Sequence, residues 1–196
     1  MGIVTTIVDA LRRIGTPTQK SAIERQDEYL GDRTIIGQRF DTVRSELGQA
    51  QVFVATVESD EETVTLLSAE QLASILAAAS RVDDFLAVFV QPDASDFFLD
   101  RLDDAFTEWI NAADPLGYSS DDVIEITGSA FGRFCVDTLD LHWVELVDRY
   151  GRSIAVQRDG GRVRGFPFNA VAKRIQSQER GFFKSIYIAL EDVSSR

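Results

Sequence analysis

Cysteine, methionine and histidine each occur once in 196 residues, and these scarcities remove whole classes of protein. A lone cysteine, Cys135, cannot form an intrachain disulfide, so the chain is not one of the small secreted scaffolds held together by such bridges. The single thiol reads instead as a reduced residue of a cytoplasmic protein. One Cys and one His, His142, cannot assemble the usual zinc sites of three or four Cys and His ligands. No run supplies the spacing of a calcium loop either, so no metal or other cofactor is expected. Long apolar runs are missing as well. The longest, Phe85 to Val90, is far short of the ~18 residues that suggest a membrane span. The opening lacks the basic-then-apolar layout of a secretory signal, and neither a leader nor a membrane partner is expected.

What is present is an ordinary globular composition, 44% apolar and 27% charged, enough to bury a real core. The length fits one domain, or at most two small ones. Charge is the unusual feature. The net value is −12, and residues 51–150 hold 21 acidic residues against four basic, whereas residues 151–196 hold nine basic against four acidic. A field of that sign repels nucleic-acid phosphates and steers cationic partners inward. Nucleic-acid binding by the whole chain is therefore disfavoured. Arg162, Arg164, Lys173, Arg174, Arg180 and Lys184 are the residues that would carry it.

Periodicity gives an α+β architecture. Ile3, Val4, Ile7, Val8, Leu11 and Ile14 recur at helical spacing and predict an opening helix ended by Gly15 and Pro17. Thr18 to Leu47 is polar, with helical parts whose limits the pattern does not place. Gln51 to Val57 and Thr63 to Leu67 read as a hairpin around a charged turn. Ser68 with Gln71 forms a capping box for an alanine-rich helix to Ser80. Phe85 to Val90 fits either a buried strand or a helix. From Ser95 an amphipathic helix turns Phe98, Leu102, Ala105, Phe106, Trp109, Ile110 and Ala113 inward, with Asp96, Asp100, Asp103, Asp104, Thr107, Glu108 and Asn111 outward. Ser119 with Asp122 caps a second helix to about Leu139, in which Gly128 and Gly132, four apart, allow another backbone to approach closely. Residues 142–166 read as a three-stranded antiparallel meander. Two C-terminal helices follow, one capped by Asn169 and the last bearing Phe182, Phe183, Ile186, Tyr187 and Leu190. Residues 1–120 and 121–196 would form one globular unit.

The ordered series Ala130-Phe131-Gly132, Trp143, Asp148-Arg149-Tyr150-Gly151, Phe166-Pro167-Phe168 and Lys173-Arg174-Ile175 resembles the bacterial family catalogued as Domain of Unknown Function 3806. The resemblance covers Asp121 to Val193. It implies a bacterial α+β domain and brings no catalytic residue with it. Most of the matching positions have packing explanations: Gly132 for close approach, Trp143 as a core anchor, and Phe166-Pro167-Phe168 as a corner from strand to helix. Lys173 and Arg174 form a candidate secondary basic site.

Known catalytic arrangements do not fit. Cys135 sits among Phe131, Phe134 and Leu139, surroundings that make a thiol inert. Gly128 to Gly132 lies within a helix and lacks the spacing of a nucleophile elbow. Gly160 to Gly165 is a hairpin, not a phosphate loop. The leading expectation is a protein-binding module of immunity or antitoxin type, neutralising a basic toxin through Asp96, Asp100, Asp103, Asp104 and Glu108. The alternatives are a self-associating regulatory or housekeeping domain whose basic C-terminal segment meets a neighbour's acidic middle, and an enzyme using carboxylate chemistry.

Overall fold

Val4, Thr5, Thr6, Ile7 and Val8 are all β-branched; such side chains crowd a helical turn and pack well on a pleated surface. The chain there is a strand, not the expected helix. A computed structural model describes residues 4–11, 35–58, 62–90, 95–148, 151–161 and 163–194. In it β1 (Val4–Leu11) pairs antiparallel with β3 (Gly48–Glu58), whose other edge pairs with β2 (Ile35–Ser45). Helical spacing misled because apolar residues at 4, 7, 8 and 11 fit the helical period, whereas in the strand they divide between its two faces, and the β-branched run outweighs the spacing. The hairpin also differs from expectation. With both edges of β3 occupied, Thr63 to Leu66 cannot join it, and β3 is instead closed onto β2. Glu46 and Leu47 form the turn between the paired Ser45 and Gly48, where the Leu47 N–H donates to Ser45 Oγ at 3.1 Å. Residues 35–45 are thus strand rather than helical. Residues 12–34, including Ile14, Gly15 and Pro17, lie outside the described residues.

The second sheet is antiparallel in the order β4 (Thr63–Leu66), β5 (His142–Asp148), β6 (Gly151–Gln157), β7 (Arg164–Gly165). The meander expected over 142–166 is present, but β4 arrives from far earlier in the chain to occupy the free edge of β5, giving four strands.

Helices cover these sheets. α1 (Ala69–Ala79) begins at the Ser68–Gln71 capping box, with Gln71 N–H donating to Ser68 Oγ at 3.1 Å and Ser68 N–H to Gln71 Oε1 at 2.8 Å. α2 (Val82–Phe89) settles the apolar run as helix: Phe85, Leu86 and Phe89 are buried while Ala87 and Val88 face water. α3 (Phe98–Asn111) and α4 (Ser120–Leu139) follow, the latter with both bonds of the Ser119–Asp122 capping box formed. α5 (Pro167–Ser177) opens on Pro167, whose missing N–H is one that a first turn leaves unbonded anyway. Asn169 is therefore inside the first turn and not the cap. α6 (Phe183–Ser194) ends the described chain.

The core is aromatic. Phe106 of α3, Phe131 of α4, and Phe182 and Phe183 at the start of α6 are essentially inaccessible, with ring centroids 5.1 Å apart for Phe106 and Phe182 and 5.3 Å for Phe131 and Phe183. The two glycines of α4 do what their spacing suggests. A Cβ on Gly128 would lie 2.8 Å from Phe168 Cδ1, and one on Gly132 would collide with the Trp143 ring and sit 2.9 Å from Pro167 Cγ. On its other side α6 lies against β1, β2 and β3, with Ile188 and Ala189 packed on Val43. Arg158 holds the ends of two helices, donating from Nη2 to the Leu139 carbonyl at 3.1 Å and from Nη1 to the Ser194 carbonyl.

Candidate functional site

The acidic face expected on α3 is divided between inward and outward carboxylates. Leu99, Asp103, Phe106 and Ile110 repeat at helical spacing, so Asp103 lies in the apolar stripe, and it is 8% exposed. Its carboxylate receives the first turn of α6: the Phe183 N–H donates to Oδ1 at 2.9 Å and the Lys184 N–H to Oδ2 at 3.2 Å. This carboxylate from another helix satisfies amide donors that a helix start otherwise leaves unbonded, and its charge suits the positive end of the helix dipole. One turn earlier, Asp100 accepts Lys184 Nζ at 2.8 Å and Ser95 Oγ at 3.2 Å. The same ammonium stands 5.3 Å from the centre of the Phe97 ring. Asp100 and Asp103 therefore hold α6 on α3 and are not free for a visitor. Asp96, Asp104 and Glu108 are exposed. Asp104 and Glu108 are four apart and share one face.

The candidate basic site is also corrected. Arg174 is 2% exposed, its guanidinium carbon 5.4 Å from the Phe182 ring centre and Nε 3.8 Å from a Glu179 carboxylate oxygen. A long alkyl stem and a delocalised cation suit a place beside an aromatic ring. Lys173 is half-buried and already engaged. Of the other cations of the basic segment, Arg164 is turned inward and Arg180 is exposed. Arg164, buried on β7, donates from Nη2 and Nη1 to both oxygens of Glu62 at 2.9 and 3.1 Å and from Nε to Gln157 at 2.7 Å. Arg180 bonds Asn111 Oδ1. Arg162 lies outside the described residues. Arg164 and Arg174, two of the bases that a nucleic acid or an acidic neighbour would need, are thus buried and paired internally, and Lys184 is held by Asp100.

For chemistry, Cys135 is buried, and burial alone pushes its thiol far above the ordinary range, so it is a packing residue at neutral pH. His142 on β5 has Nδ1 3.6 Å from Asp159 Oδ1, an exposed carboxylate. Among the described residues no three His, Cys, Asp or Glu side chains converge as metal ligands would. No helix among them is long and apolar enough to cross a membrane.

Sequence reasoning overlooked one surface feature. Val64 and Leu66 of β4 and Leu72 and Leu76 of α1 are large apolar side chains exposed to water, Leu66 to 72%. The signal available was that Thr63 to Leu66 carries no charge or proline.

Comparison with known proteins places part of this architecture. Residues 103–187 match the model of the family described as Domain of unknown function (DUF3806), which spans α3 to the middle of α6. No curated protein matches the chain. A crystal structure of a protein from Bacteroides thetaiotaomicron VPI-5482 is similar over 83% of this chain and 75% of that one, with TM-score 0.50 and 10% sequence identity. At that identity the likeness concerns the fold.

Proposed function

We propose that this protein is a non-catalytic binding module for a basic protein partner, of the kind an immunity protein or antitoxin offers to the toxin it neutralises. The observation that supports the reading most is the imbalance of residues 51–150, 21 acidic against four basic, together with the outward carboxylates of Asp96, Asp104 and Glu108. A nuclease or other anion-handling protein has a positive groove, and a carboxylate row fills it with charge of the right sign. Long-range attraction raises the association rate, and ion pairs formed at the rim set the salt dependence. The internal use of Arg164, Arg174 and Lys184 weighs against the alternative in which the basic segment docks onto a neighbouring copy.

The test is reversal of Asp104 and Glu108 to lysine, followed by the association rate with a partner recovered by affinity capture. The expected result is association slowed about tenfold or more at low salt, converging with wild type as salt rises, with thermal stability unchanged. Association at the wild-type rate and with the wild-type salt slope removes the proposal. Asp100 and Asp103 are left out of the reversal because they hold α6, and changing them would confuse folding with binding.

A further inference from the structure

β4 is an outer strand with β5 on one side and, among the described residues, no strand on the other. In an antiparallel pair alternate residues direct their N–H and C=O toward the partner, so the remaining groups of β4 point outward, a template for another strand. All four of its residues are exposed. Of the devices that commonly protect natural outer strands, Thr63-Val64-Thr65-Leu66 has shortness but no lysine, proline or bulge. The pairing fixes its two faces. Val64 and Leu66 stand beside Leu146 and Val144, and Thr63 and Thr65 stand beside Val147 and Glu145. The first turn of α1 reaches the second face, where Gln71 Nε2 donates to Glu145 Oε1 at 3.0 Å. Next to Gln71, Glu70 is exposed.

Two arguments select the occupant. A second copy would bring together two chains of net charge −12, each through its acidic 51–150 segment, and like fields oppose that encounter. A four-residue edge also offers far less than the roughly 800 Å² per partner of a stable protein interface, whereas it suits one extended segment held by main-chain hydrogen bonds. We propose that β4 is a docking edge for an extended segment of another protein, with alternate apolar side chains beside Val64 and Leu66 and lysine or arginine flanking them. This shares with the binding-module reading only a basic partner. It uses a different surface, remote in sequence from the carboxylates of α3.

The probe is a synthetic peptide, Lys-Lys-Thr-Val-Thr-Val-Thr-Lys-Lys, with a counterpart carrying glutamate in place of lysine, each added to the full chain at about 1 mM. The expected result is slowed amide exchange, by about threefold or more, confined to 63–66 and neighbouring β5, lost with the glutamate peptide and lost in Leu66→Lys, whose exposed side chain leaves the fold intact. The Asp104→Lys/Glu108→Lys variant should bind the peptide as wild type does, so failure of the α3 surface and failure of this edge are told apart. No protection at 63–66, or equal protection by the glutamate peptide, overturns the proposal. So does sedimentation as a dimer that Leu66→Lys dissolves, because the occupant would then be a second copy.

Discussion

Replacing Asp103 by alanine removes the acceptor of two amides at the start of α6. The site is 8% exposed, so water re-solvates those N–H groups only in part, and a stranded buried donor costs ~1–3 kcal/mol. Some of that is recovered as the α6 start relaxes, as it is when an ordinary helix cap is lost at ~1 kcal/mol. The expected destabilisation is about 2–4 kcal/mol. For a chain of this size each kcal/mol shifts the melting temperature by ~2–4 °C, so a fall of roughly 4–16 °C follows. Asp103→Asn keeps one acceptor oxygen but loses the charge and sets its NH2 donor against the second amide, and should cost about 1–3 kcal/mol. Asp104→Ala, one residue away and exposed, should stay within about ±0.5 kcal/mol. Thermal unfolding followed by far-ultraviolet circular dichroism, with urea titrations to check that the m-value is unchanged, measures all three. If Asp103→Ala melts with Asp104→Ala, the account of α6 anchored by this carboxylate is wrong.

Gly132→Ala should destabilise by about 1–3 kcal/mol through overpacking, because the new methyl meets Trp143 and Pro167; Trp143 emission and chemical denaturation report it together. Glu62→Ala leaves the buried Arg164 cation without its bidentate partner and should cost about 3–5 kcal/mol, with partial recovery when Arg164→Met is added. The hydrogen bonds from Ser119, then the Arg81 guanidinium, hold the Asp122 carboxyl below its ordinary 3.8. A depressed folded-state value means that its stabilising effect is present above pH 3.8 and fades as pH falls through the folded value. The stability gap between wild type and Asp122→Asn should therefore be full at pH 7 and narrow as pH falls below 3.8; a constant gap would contradict the capping-box reading.

The helical half of the fold was legible because capping chemistry and 3.6-residue periodicity are local. Ser68–Gln71 and Ser119–Asp122 announced α1 and α4, and Gly128 and Gly132 announced a close approach. The strands were harder. Spacing at residues 3–14 fits a helix, and only the β-branched run argues for β1, while the partner of Thr63–Leu66 lies some eighty residues along the chain, beyond any local rule. The candidate site suffered from the same limit. Counting every acid of α3 as outward was sound for Asp104 and Glu108, but Asp103 occupies a stripe position. Lys184, which neutralises Asp100, comes from a helix whose docking no sequence window contains. Arg174 shows the converse: charge suggested a surface, and the Phe182 ring with the Glu179 carboxylate accepted it.

Because α6 lies against all three strands of the first sheet, strands made early are completed by a helix made much later. Well over a hundred residues separate Glu58 from Phe183, which at ribosomal speeds is a delay on the order of ten seconds. During that interval the sheet face awaiting Ile188 and Ala189 is without α6. Quality control in the cell would meet a nascent protein whose first sheet stays uncovered on that face until α6 has been made.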